Sequence, residues 1–284
     1  MDRYFRSLLG CCLLAGLVLV GWAFKSKQVN LKELTSNLKD NTDTLIRKGI
    51  NHISLTRQGQ ILASDPKSNI FLIDSTGKTL YQYSPRRPAK IHLLEGWNGL
   101  RPFAFYRDFQ EFVLLDRFLL SDNTSGIDPE KVGYARLVAP SNDGNLWILD
   151  ESNFQLRKLD LNNQSPISST PLDLILSARS YDIRFMREYQ NQLYICDLKG
   201  PVLLFDQMGN FKKRLPLKEC EWIGFEGEEV YSIQNDTIIY FHPYKLQIRK
   251  KALAFSLKDA HELVKTGQFY WWIGTEGLMR SDIQ

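Results

Sequence analysis

Histidine is scarce in this chain: only four occur among 284 residues, at positions 52, 92, 242 and 261. No His-Glu-x-x-His, no histidine pair at metal spacing, no Gly-x-Ser-x-Gly elbow and no phosphate loop occurs. The usual sequence routes to zinc hydrolysis, serine nucleophiles and nucleotide binding are therefore missing. Charge of one sign is not concentrated either. The net charge is +4 and no long basic block occurs, which excludes a dedicated nucleic-acid binder with its single basic face. Long amphipathic helical periods are absent as well. Cysteine is sparse: of four, Cys11 and Cys12 lie in the N-terminal apolar stretch, leaving Cys196 and Cys220. No Cys-x-x-Cys pair or Cys/His cluster is present. Two buried thiols is the plain reading of Cys196 and Cys220, with a disulfide the alternative in an oxidising compartment.

What the chain does have begins at its N-terminus. Arg3 and Arg6 precede an uncharged apolar stretch from Leu8 to Phe24, and Lys25 and Lys27 follow it. A basic start, an apolar middle and small residues at Gly21 and Ala23 fit an export signal cut after Ala23. The stretch is also at the lower limit for spanning a bilayer, so an uncleaved anchor competes. A third alternative is lipidation at Cys11, within Leu8-Leu9-Gly10-Cys11. Each places the folded part outside the cytoplasm. Residues 1–24 are assigned to this segment, 25–40 to a linker and 41–284 to the folded domain. Membrane association would run only through residues 8–24.

The folded part repeats one phrase. "ILASDPKSNIFLIDSTG" (61–77) and "LYICDLKGPVLLFDQMGN" (193–210) each run apolar to an Asp, turn, run apolar again to a second Asp, and turn. Six copies follow when "PFAFYRD" is taken as a first run. First runs then end at Asp65, Asp108, Asp150, Asp197, Gln234 and Gly274, and second runs at Asp74, Asp116, Asp160, Asp206, His242 and Asp282. The spacing is roughly 36 to 47 residues, within the range of repeat architectures. The runs are short, β-branched and aromatic, such as "LWILD" and "TIIYF", and are bounded by Asp, Asn, Gly or Pro. Another strand-like segment precedes most first runs, as in "YARLVA" and "YDIRFM". A fourth follows several second runs, as in "KTLYQYS", "FKKRLPL" and "QIRKKALAF". Four antiparallel strands per repeat and six repeats predict an all-β, six-bladed propeller. Only two residues follow Asp282, so the sixth blade lacks an outer strand. "NTDTLIRKG" (41–49) is predicted to supply it and close the ring.

The phrase resembles the NHL-type repeat and the wider group of TolB-like six-bladed propellers. The resemblance rests on the apolar runs ending in Asp65, Asp150 or Asp197 and on the following "DSTGK" or "DQMGN". The Asn-x-Arg of many NHL turns is replaced here by "DPKSNIFL", "DESNFQL" and "DLKGPVL", which looks more like the divergent propellers of exported bacterial proteins.

Recurring carboxylates suit a structural device. An Asp at a strand end accepts backbone N–H groups of the next turn. A catalytic ring would not tolerate Gln234 and Gly274 at the same position. Trp147, Tyr194, Tyr231 and Trp271 recur as the second residue of a run and are read as packing between blades; Trp97 and Trp222 fall outside this column. His261-Glu262 is a thin candidate for a base with a carboxylate near the axis. The segments 84–90, 121–133 and 165–180 depart most from the repeat and are read as connections between blades. They would place Arg86, Arg87, Lys90, Lys131 and Arg179 on one face as candidate partner-binding residues. The functional reading is a non-catalytic propeller of the cell envelope that binds a protein or peptide partner, without nucleic acid, metal or cofactor. The alternative is a metal-dependent propeller hydrolase or lactonase with a divalent ion held by Glu, Asn and Asp at the channel mouth.

Overall fold

The computed structural model describes residues 44–97, 101–120, 122–176, 180–257 and 260–283. Residues 1–24 and 25–40, expected to be an export segment and a linker, lie outside them. The described residues form six four-stranded antiparallel sheets, each running from an inner to an outer strand. Blade one is β2 (His52–Leu55), β3 (Ile61–Ser64), β4 (Ile70–Ile73) and β5 (Thr79–Tyr83). Blade two is β6 (Leu93–Glu95), β7 (Phe103–Tyr106), β8 (Glu111–Leu115) and β9 (Asp122–Gly126). Blade three is β10 (Ala135–Pro140), β11 (Leu146–Asp150), β12 (Gln155–Asp160) and β13 (Ser165–Pro171). Blade four is β14 (Ile183–Tyr189), β15 (Gln192–Asp197), β16 (Pro201–Asp206) and β17 (Phe211–Lys218). Blade five is β18 (Gly224–Glu226), β19 (Glu229–Gln234), β20 (Thr237–His242) and β21 (Gln247–Ala252). Blade six is β22 (Leu263–Thr266), β23 (Phe269–Gly274) and β24 (Gly277–Asp282), completed by β1 (Thr44–Lys48).

The ring closes as the sequence predicts. Leu45 pairs with Met279 and Lys48 with Gly277. Gly277 is required there: its φ is +133°, and a Cβ would lie 2.2 Å from the Arg47 carbonyl oxygen. Arg47 also reaches blade one, with its guanidinium 3.7 Å from the centre of the Phe71 ring. One strand thus satisfies the open edge of the last blade and grips the first.

Burial follows position in the blade. The second strands β3, β7 and β11 are buried along their whole length, because neighbouring blades cover both faces. Outer strands are mostly exposed, as in β21 and β13. The aromatic column packs between blades. Trp147 of blade three lies with Leu193, Leu203 and Phe205 of blade four, and the Tyr231 hydroxyl of blade five donates to the Leu263 carbonyl of blade six at 2.8 Å.

Two segments read as connections are in part strands. Asp122–Gly126 and Ser165–Pro171 are the outer strands of blades two and three. "DNTSG" and "SPISSTP" carry little apolar signal because an outermost strand has one hydrogen-bonded neighbour and needs little apolar cover. The true connections are shorter: 127–134, with a helical turn Pro129–Val132 capped by Asp128, and 172–182. Blade two's inner strand, only Leu93–Glu95, carried no sequence signal at all.

Turn carboxylates do what their repetition implied. Asp65 accepts from the Lys67 and Asn69 amides, Asp74 from those of Thr76 and Lys78, Asp116 from Phe118 and Leu120, and Asp206 from Met208 and Asn210. Asp150 accepts from Ser152 and Asn153 and also holds Arg157 at 3.0 Å. Asp197 accepts from Lys199 and, from the incoming connection, Asp182. Asp160 caps Asn162. Asp108 and Asp282 are corrections to the pattern. Asp108 sits in a 3-10 turn (Arg107–Phe109), Asp282 is the last residue of β24, and neither accepts from a turn amide among the described residues. Cys196 and Cys220 are free and buried, and burial pushes both thiols up.

Candidate functional site

Every inner strand begins on the same face of the ring, because the connection from each outer strand delivers the chain there. The turns after β3, β7, β11, β15, β19 and β23 share that face. At its centre the starts of the inner strands surround a cavity of about 370 Å³. Blade one contributes His52 and Ile53, blade two Lys90 to Leu94 and Arg107, blade three Arg136 and Leu137. Blade four gives Ile183 to Phe185 and Arg187, and the connections into blades five and six give Glu221, Trp222, His261 and Glu262.

The walls are knitted by carboxylates: Glu262, which the sequence placed near the axis, and Glu95 and Glu188, which it did not mark. Glu262 accepts the Ile53 amide at 2.6 Å and faces His52 Nδ1 at 2.9 Å. His52 Nε2 lies 3.1 Å from the Ile91 carbonyl oxygen. Both ring nitrogens therefore face acceptors, an arrangement that favours the protonated ring. Burial opposes that charge, but the Glu262 carboxylate and the Ile91 carbonyl outweigh it and raise the pKa above 6.5. This triad fastens blade six to blade one and blade two.

Glu95 is the second fastening. It is 3% exposed and accepts from Ser54 Oγ, the Trp97 amide and Arg187 Nε, the last at 2.5 Å. Blades one, two and four meet through it across the axis. Arg187 also lies 5.0 Å from the Phe185 ring and 5.9 Å from the Trp222 ring. Arg187 and Trp222 line both the large cavity and a smaller one of about 30 Å³ further along the axis, so they form the floor between the two. Glu188 fastens blades three and four by accepting from Ser141 Oγ, the Asn142 amide and Trp147 Nε1. A buried pair of this kind registers the blades more than it adds net stability.

The cavity surface is cationic. Lys90, Arg107, Arg136, Arg184 and Arg187 line it, against the carboxylates of Glu221 and Glu262. The partners of three of these cations stand outside the lining: Glu95 behind Arg187, Glu151 and Asp182 beside Arg136, and Asp182 beside Arg184. Arg107 and Lys90 have no ion pair among the described residues. His92 stays neutral between them: burial, then the positive charge of Arg107, hold its pKa down to about 4. Its Nδ1 lies 3.0 Å from the Lys90 carbonyl oxygen and 3.4 Å from the Arg107 backbone nitrogen.

The candidate residues from the sequence divide. Lys90 joins the cavity. Arg86 is exposed, as is Lys131 on its helical turn. Arg87 is committed: it holds Glu111 through two contacts near 3 Å, and its guanidinium lies 3.5 Å from the centre of the Phe109 ring. Arg179 lies outside the described residues. His261 and Glu262 do reach the axis, but the carboxylate pairs with His52, not with its sequence neighbour. Trp222, outside the aromatic column, is part of the floor. Arg107 was hidden inside the repeated turn phrase, and Arg136 and Arg187 inside inner-strand segments. Among the described residues, no three His, Cys, Asp or Glu side chains converge as a metal site. No helix among them is long and apolar enough to cross a membrane.

No protein-family model and no curated protein matches the sequence. Solved structures do share the fold. Virginiamycin B lyase from Staphylococcus aureus is 11% identical, with a TM-score of 0.55 over 83% of this chain and 80% of that one. The β-propeller domain of Cps50 (Swd1) from Myceliophteria thermophila is 15% identical, with a TM-score of 0.55 over 83% of each chain. PorZ, a bacterial surface component of the type-IX secretion system of Porphyromonas gingivalis, is 15% identical, with a TM-score of 0.54 over 83% of this chain and 31% of that one. At these identities the likeness is one of fold.

Proposed function

We propose that this propeller is a non-catalytic binding module of the cell envelope, which presents its cavity-bearing face to a protein or peptide partner. Residues 1–24 act as export signal or anchor, 25–40 as linker, and the ring from residue 41 onward as the rigid scaffold. The observation that carries the reading is the cavity: four blades and the connections into the other two build it, Lys90 of the individual segment 84–90 lines it, and the carboxylates paired with Arg136, Arg184 and Arg187 stand outside its lining. His52 and Glu262, a histidine–carboxylate pair in its wall, are each saturated by structural partners. That arrangement suits recognition on a preformed surface. The export segment and the basic residues Arg86, Lys90, Lys131 and Arg179 support an envelope partner with an acidic complement.

The test uses the full chain immobilised in mild detergent and an envelope extract. A partner retained by the native protein and lost with Arg86→Glu plus Lys131→Glu, at unchanged melting temperature, is the expected result. Retention that ignores both substitutions removes this face from the account. Chelator-sensitive hydrolytic turnover by the purified protein would overturn the binding reading, and recovery of the chain in the soluble cytoplasm would overturn export.

A further inference from the structure

Arg107 is half-buried, points into the cavity lining and has no ion pair or side-chain hydrogen bond among the described residues. Its guanidinium N–H donors are open to an anion that enters the cavity. Lys90, also without an ion pair, enters the lining from the same blade. Both residues flank His92, whose Nδ1 lies 3.0 Å from the Lys90 carbonyl oxygen and 3.4 Å from the Arg107 backbone nitrogen. Apolar side chains stand among the charged ones in the same lining: Ile91, Leu137, Ile183, Phe185 and the floor residue Trp222. The cavity therefore offers cations and apolar surface together within about 370 Å³.

We infer that this cavity is a carboxylate-recognition site, taking a carboxylate carried on an apolar or aromatic body, with Arg107 as the principal anchor and Lys90 as its support. The planar guanidinium fork matches a carboxylate through two parallel N–H···O bonds, while Lys90 acts as a point charge. Nearby carboxylates do not fill the role. Glu262 is consumed by His52 and the Ile53 amide, and Glu221 lies in the field of Arg184. Asp108 is 59% exposed and turned to His92 at 3.9 Å. The inference rests on the binding reading above and specifies the chemistry at its centre. The carboxylate has two sources, the C-terminus of a peptide or a free organic acid, and both present the same group.

Titration calorimetry on the full chain in mild detergent tests it with four probes: a hexapeptide ending in a free Phe carboxylate, its C-terminal amide, 4-phenylbutyrate and inorganic phosphate. The expected result is binding of the free-acid peptide, of phenylbutyrate, or of both. The free acid binds about ten-fold or more tightly than the amide, the scale of one charge-assisted pair. Whichever arm binds identifies the source. Arg107→Gln should abolish that preference, Arg107→Lys restore part of it, and Lys90→Gln weaken it a few-fold. Arg107 makes no side-chain bond to the scaffold among the described residues, so its variants should melt with the native protein. If Arg107→Gln does not fold, Lys90→Gln and the acid-to-amide ratio still decide. Equal affinity for acid and amide, phosphate binding as well as the acids, indifference to Arg107→Gln, or no binding by any probe at millimolar concentration would overturn the inference. A partner retained through Arg86 and Lys131 without carboxylate binding would sink this inference alone. Carboxylate binding without any retained partner would sink the partner reading and leave the site standing.

Discussion

Charged side chains do opposite work at the strand turns and in the axial cavity. In the turns, Asp65, Asp74, Asp116, Asp150, Asp160, Asp197 and Asp206 recur blade after blade, each saturated by backbone amides of its own turn or of an adjoining connection. In the cavity, Arg136 and Arg184 hold the same place in blades three and four, whereas Lys90 and Arg107 lie outside the recurring Asp positions and have no ion pair among the described residues. Charge that repeats and is satisfied belongs to the scaffold. Charge that departs from the repeat and is unsatisfied is available to a ligand.

The largest effect that would sharpen this contrast lies at the seam. Deleting residues 44–48 exposes the backbone edge of β24 and removes the grip of Arg47 on Phe71. Cooperative unfolding by denaturant should be lost. A truncated protein with the native midpoint and slope would break the scaffold half of the comparison.

A smaller effect separates buried from exposed turns. Asp150 is fully buried and holds two turn amides, the Asn153 side chain and Arg157. Asp150→Ala should cost about 1–3 kcal/mol through the donors left unpaired. Asp74 lies at an exposed turn where water replaces it, and Asp74→Ala should cost under about 1 kcal/mol. Chemical denaturation of both variants orders them; equal losses would show that the turn carboxylates do not act through burial.

The two wall histidines should tilt stability in opposite directions with pH. His52 has a raised pKa, so its contribution is complete below about pH 6.5 and is lost as pH rises through the raised value. His92 has its pKa lowered to about 4. Its contribution is present above about pH 6.5 and is lost as pH falls through about 4. His52→Gln should flatten the alkaline side of a melting-temperature profile, and His92→Gln the acidic side. A profile unchanged by either substitution would remove the electrostatic account of the wall.

The scaffold was legible because it is written six times. An apolar run ending in Asp carries local turn chemistry, and its recurrence set the strand register for all six blades, including the closing strand at residues 44–48. Legibility failed where a strand needs no apolar signal, as in Asp122–Gly126 and Ser165–Pro171, or is as short as Leu93–Glu95. The cavity was legible only in fragments. His261-Glu262 pointed to the axis, but the partner of Glu262 is His52, 210 residues away, and only ring closure brings them together. Arg107 follows a strand that reads like every other first run, so nothing local marks it as different.

The most direct measurement puts one residue from each class side by side: thermal melts of the native chain, Asp197→Ala and Arg107→Gln, each with and without the free-acid peptide. Binding raises the melting temperature by mass action on the folded state. Asp197→Ala should melt lower than the native chain and keep the ligand-induced rise. Arg107→Gln should melt with the native chain and lose that rise. A rise lost in Asp197→Ala and retained in Arg107→Gln would contradict the division between repeated, satisfied charge and individual, available charge.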